Sequence, residues 1–182
     1  MKMKSVIKLC NRKKTAIIYD QVNENGEIVQ QYIGDGSSLY PMSGMPMLDV
    51  VNIPTLFGIK RKDIDKWDIG RDFVPEEYSV KDVEPREVVA DFTGLTVDAA
   101  GAKVMAIQAE GRIFWIDAAY IEPVEADQMF LFLRRNKSGG RYIAIKQGLE
   151  LGGIVTAYPQ SSWVEDTIRK VVSLMPTLQI DE

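Results

Sequence analysis

Carboxylates, lysines and tyrosines are left to carry any proton transfer in this 182-residue sequence, because histidine is absent and Cys10 is the single cysteine. That removes the usual general base near neutral pH, the Ser–His and Cys–His nucleophile pairs, and every imidazole metal site. A zinc site of four nitrogen or sulfur ligands cannot be assembled either. Any metal would be a hard cation held by oxygens, and Asp63, Asp65, Asp68 and Asp72 are the densest supply. Lys60, Arg61, Lys62, Lys66 and Arg71 interleave with them, which reads as a solvated face instead. Asp20, Asn23 and Asn25 precede Gly26, but Tyr32 stands where a calcium loop needs its bidentate glutamate. Tyr19, Tyr32 and Tyr40 all lack a lysine four positions on. No catalytic residue, metal ligand or cofactor is expected, and the chain reads as a binding protein and not an enzyme.

Two kinds of contact surface remain. The loop from Gly34 to Pro46 is rich in Gly, Pro and Met, and Tyr40, Met42, Met45 and Met47 offer adaptable apolar surface to a protein partner or a second copy. Folding of that loop onto its own core is the competing expectation. Gly34-Asp35-Gly36-Ser37-Ser38 within it could cradle a phosphate only in a strand-to-helix context, which Pro41 interrupts.

Basic residues supply the other surface. Six of the first fourteen residues are Lys or Arg with no acid, so with a net charge of −4 the rest of the chain carries −10. A basic arm on an acidic body suits nucleic acid or serves as a solubilising terminus. Phe57 to Trp67 resembles the turn and recognition helix of a helix-turn-helix, which would present Lys60, Arg61 and Lys62 to phosphates. Arg134, Arg135, Lys137 and Arg141 form a second basic segment, expected to project into solvent. The leading reading is a protein-binding or assembly module; the alternatives are nucleic-acid binding through these basic groups and a small-ligand-binding domain.

Apolar periodicity predicts the elements that carry these surfaces. Val104–Ile107 and Ile113–Ile116 flank Gly111 as a hairpin, and both faces are apolar, so it is expected in the middle of a sheet. Met129–Leu133 answers Tyr142–Ile145, and Gly153 to Tyr158 returns beside them. An antiparallel meander of about five strands over residues 103–158 follows. Ser162 and Glu165 form a capping box ahead of the stripe Val164, Ile168, Val171, Val172 and Met175, which predicts a C-terminal helix covering that meander. Asn25-Gly26 marks an N-terminal hairpin, and Leu48 to Trp67 fits one or two short helices. The fold class is therefore α+β. A single domain is expected, or two lobes, 1–72 and 100–182, joined by an exposed, charged connector over 73–99 that proteases would find. One cysteine, no secretory leader and no long apolar window place the chain in the cytoplasm, away from membranes.

Overall fold

A computed structural model describes residues 1–99, 101–124 and 128–158. The chain begins not as a loose arm but as helix α1, Met3–Lys13, whose Val6, Leu9 and Cys10 are buried while its lysines face outward. Lys14 takes a left-handed conformation (φ 56°) and turns the chain into strand β1, Thr15–Val22. β2, Ile28–Gly34, pairs antiparallel with β1 in the expected hairpin, its turn fastened by the Asn23 side-chain oxygen accepting the Asn25 and Glu27 amides. β3, Ser38–Pro41, follows.

β4, Asp68–Phe73, lies parallel to β1. A parallel neighbour requires a long crossover. Residues 42–67 supply it through one helical turn, α2, Ile53–Leu56, and two 3-10 turns at Val50–Asn52 and Arg61–Lys66. Lys60, Arg61 and Lys62 thus sit at a 3-10 turn, and the recognition helix that the sequence resembles is not formed.

The remaining strands are β5, Val88–Ala99; β6, Ala102–Ala109; β7, Arg112–Asp117; β8, Met129–Arg135; β9, Arg141–Gln147; and β10, Glu150–Thr156. The spatial order is β4-β1-β2-β3-β10-β9-β8-β5-β6-β7, one mixed sheet of ten strands. This corrects the expected five-stranded meander. The hairpins β6–β7, β8–β9 and β9–β10 form, but β7 does not pass to β8, because β5 pairs with β8 through Val88–Ala90 and with β6 through Asp91–Ala99. At the other end β3 pairs with β10, Leu39 opposite Ile154, and joins the N-terminal strands to the same sheet. The C-terminal helix expected over 162–175 lies outside the described residues. Among the described residues α1, through Val6, Leu9 and Cys10, and α2, through Ile53, pack against the main core.

The β6–β7 hairpin ends the sheet instead of occupying its middle. Both of its faces are nevertheless apolar because each meets a different cluster. Ile107, Phe114 and Ile116 belong to the main core with Leu131, Leu133, Ile143, Ile145 and α1. Val104, Ala106 and Trp115 pack on the other face with Val97 and Tyr158. The Tyr158 amide donates to the Trp115 carbonyl at 2.8 Å, so part of the edge is satisfied. Elsewhere Tyr19, Tyr32, Tyr142 and Ile154 form a second-face cluster beneath Val74, Tyr78 and Val80.

Among the described residues no helix is long and apolar enough to cross a membrane.

Candidate functional site

The four side chains of the Met-rich loop separate by depth. Tyr40 is fully buried and donates its hydroxyl to the Tyr120 carbonyl at 2.7 Å, and Met42 is also in the main core. Met45 is half-buried against that core, and Met47 is 57% exposed. Tyr40 and Met42 therefore present no surface to a partner. Met42→Ser is expected to lower unfolding stability by about 2–5 kcal/mol, the range for emptying a core methionine site. Met47→Ser is expected to stay within about 0.5 kcal/mol, as exposed substitutions do. Urea unfolding of the two variants checks this ordering.

The basic groups separate as well. Arg134 is only 2% exposed and does not project into solvent. Its guanidinium donates to Glu87 Oε2 from Nε and Nη2 at 2.9 and 2.7 Å, and to the carbonyls of Ser79, Lys81 and Asp82 at 3.0, 2.8 and 3.2 Å. Lys146 holds the other oxygen of Glu87. This binds the stretch 79–87, part of the expected connector, onto the sheet. Arg135 pairs with Glu110 and Lys137 with Glu76. Arg141 lies 4.0 Å from Glu110. Lys60, Arg61 and Lys62 are exposed, and Lys60 and Lys62 share a surface hollow with Lys14, Lys66 and Trp67. The arm and the 60–62 turn thus come together, whereas the 134–141 loop meets Glu76, Glu87 and Glu110 instead.

A cleft of about 420 Å³ opens where the C-terminal turn of α1 meets the β2–β3 turn, the end of β7 and the end of β10. The two buried carboxylates at this junction are Asp35 and Asp117. Asp35 Oδ1 accepts the Ser37 amide at 3.1 Å and the Ser38 hydroxyl at 2.8 Å. Its Oδ2 accepts the Tyr120 hydroxyl at 2.7 Å and lies 3.3 Å from Lys13 Nζ. Asp117 accepts the Ala119 amide at 2.9 Å and Arg12 Nη2 at 2.7 Å. The cations are fixed twice, since Arg12 and Lys13 also sit 5.7 and 5.4 Å from the centre of the Tyr120 ring.

Both oxygens of each carboxylate are engaged by protein donors. Burial and the neighbouring Asp35 push the Tyr120 phenol well above its ordinary range. Burial, and then Asp35, push the Cys10 thiol up to about 12, and its Sγ contacts the Gly34 carbonyl at 3.6 Å. Cys10 is thereby kept as a protonated, packed side chain and not a thiolate. The Gly34–Ser38 run is a carboxylate-centred turn whose Ser37 amide is spent on Asp35, so that amide is not aimed at a phosphate. Among the described residues no group of three or more His, Cys, Asp or Glu is placed to hold a metal ion.

Arg12, Lys13, Asp35, Asp117 and Tyr120 were not singled out from the sequence as one site. They come from three separate stretches, 12–13, 35 and 117–120, and the only local signal was the Asp35-Gly36-Ser37 turn chemistry.

Fold and site together define a mixed-sheet protein with a cleft beside its N-terminal helix in which Arg12 and Lys13 are held by buried carboxylates. Comparison with protein-family models, with curated proteins and with solved structures returned no match.

Proposed function

We propose that this chain is a non-enzymatic protein-binding or assembly module that docks its partner on the outer face of β5 and β8. The observation that carries this reading is the exposure of Val89 (61%) and Phe130 (48%) beside Phe132. Along β8, Leu131 and Leu133 enter the main core, so the alternating Phe130 and Phe132 point to the opposite face, where Val89 is the direct cross-strand partner of Phe132. Val74, Tyr78 and Val80 pack on the neighbouring part of that face and leave Val89 and Phe130 open. Aromatic side chains concentrated on one exposed sheet face suit a protein contact better than solvent.

The test is a Val89→Ser/Phe130→Ser double variant, followed by size-exclusion chromatography with light scattering over rising concentration. Self-association of the wild type that the variant loses, at an unchanged melting temperature, is the expected result. Association that survives both changes would remove this face from the reading.

Binding of a small polar ligand is the second reading, favoured by the fixed Arg12 and Lys13 lining the cleft of about 420 Å³. That volume lies within the usual range for small-molecule sites.

A further inference from the structure

The turn between β6 and β7 contains a residue that its backbone disfavours. Glu110 and Gly111 have φ of 52° and 69°, the two left-handed positions of a tight hairpin turn. Gly111 suits such a position, and Asn, Asp or Gly would suit the one before it. Glu is an unfavourable choice there, because its Cβ crowds the left-handed backbone. The side chain explains its presence. Arg135 Nη2 donates to both Glu110 oxygens at 2.6 and 2.7 Å. Arg141 Nε lies 4.0 Å away on the other side.

Two arginines meet at this single carboxylate. Arg135 and Arg141 are direct cross-strand partners, an arrangement that like charges oppose. The Arg135 hydrogen bonds, with the charges of the nearby arginines, hold the Glu110 carboxyl below its ordinary range. One negative charge thus faces two positive ones. The Nε of Arg141 is buried and has no hydrogen-bond partner among the described residues, a state that buried donors seldom keep without a reason. Its guanidinium also lies 5.8 Å from the centre of the Phe114 ring, which limits where it can move.

Beside Glu110 and Arg135 opens a cavity of about 710 Å³, with Arg86 and Lys137 also on its wall. Among the described residues Arg86 is exposed and has no carboxylate within ion-pair distance. The acids in that wall are already engaged: Glu84 by the Ser79 hydroxyl, and Glu87 by Arg134 and Lys146.

We propose that Arg135 and Arg141 form a binding site for a small phosphate ester, whose phosphate displaces the Glu110 carboxylate and whose remainder enters the adjoining cavity toward Arg86. Glu110 is then an internal occupant, holding the arginines in place at the cost of a strained turn. Planar, multidentate guanidinium donors match a phosphate better than they match one carboxylate. A cavity of this volume suits a small ester better than a polynucleotide, which would need an extended track of cations.

The probe is phenyl phosphate, titrated calorimetrically into the wild type, Glu110→Asn and Arg135→Ala. Asn suits the turn, so Glu110→Asn should melt no lower than the wild type. It should bind phenyl phosphate at least roughly tenfold more tightly, because no carboxylate has to be displaced. Arg135→Ala, changed at a side chain 54% exposed, should weaken binding by roughly tenfold with its melting temperature kept. Folded Glu110→Asn that binds no phenyl phosphate at about 10 mM, well beyond the weak range for small ligands, overturns the proposal. Binding that is equal in all three proteins places the phosphate elsewhere and overturns it too. A single-stranded oligonucleotide that binds more tightly than phenyl phosphate, with a steep salt dependence, would assign these arginines to a polyanion surface and reject the small-ester site. Binding of inorganic phosphate as tight as that of the ester would show that the cavity contributes nothing, and would reject that half of the proposal.

Discussion

Arg134→Ala is expected to destabilise the protein by about 3–5 kcal/mol, the usual cost of removing one member of a buried, hydrogen-bonded ion pair. All five guanidinium N–H groups are used, two on Glu87 and three on the carbonyls of Ser79, Lys81 and Asp82. Deleting them leaves Glu87 buried with Lys146 as its remaining charged partner and strands three carbonyl oxygens. Arg134→Lys should recover little, because one ammonium has three donors and cannot span a carboxylate and three carbonyls at once. The measurement is the urea midpoint together with limited proteolysis. Wild type should resist cleavage over 79–87, and both variants should be cut there first. Variants that unfold like the wild type and remain uncut would mean that the guanidinium does not hold this stretch.

The same pair sets an acid limit. Burial alone would raise the Glu87 carboxyl, but the hydrogen bonds and charges of Lys146 and Arg134 outweigh it, and the net shift is downward from 4.5. A carboxyl with a lowered folded value contributes stability that is complete above 4.5 and is lost as pH falls through the folded value. Wild-type stability should therefore fall below pH 4.5 more steeply than that of Glu87→Gln, which has no proton to take up there.

Arg134 also shows what a linear reading misses. It stands at the end of an apolar strand and opens a basic run, so the sequence alone suggests solvent. What buries it is Glu87, forty-seven positions earlier, which no local pattern connects to it. The hairpins were legible because turn chemistry and strand alternation act over a few residues, as at Asn25-Gly26 and Gly111. The pairings β3–β10 and β5–β8 join segments more than forty residues apart, and these turn a short meander into ten strands. Helix α1 was concealed for a different reason. Met3, Val6, Ile7 and Cys10 have helical spacing, but the lysines between them suggest a solvated arm to a composition argument. The cleft suffered doubly, since Arg12 and Lys13 lie in that arm and Asp35 lies in the loop tested for phosphate binding.

Gly34→Ala is expected to be the most damaging single-methyl change of the chain, costing above about 4 kcal/mol or preventing folding altogether. A Cβ on Gly34 would fall 1.6 Å from the Ser38 carbonyl oxygen, a backbone atom that no side-chain rotation can clear. Ser38 cannot simply retreat. It opens β3, pairs with Val155 across the one junction among the described residues between the N-terminal strands and β10, and donates its hydroxyl to Asp35. A shift there would also disturb the contacts of Asp35 with Tyr120 and Lys13, and that of the Gly34 carbonyl with Cys10. Gly36→Ala is the control, and it separates two ideas of why glycine is needed. Gly36 has φ of 82° with open space where a Cβ would be, so alanine there should cost only about 1 kcal/mol of backbone strain. A rule based on turn conformation alone predicts the opposite order, because Gly34 has no left-handed angle to protect. Thermal unfolding of the two variants decides between them. Melting of Gly34→Ala at or above Gly36→Ala would show that β2 and β3 do not approach so closely, and that the junction holding the two halves of the sheet has room to spare.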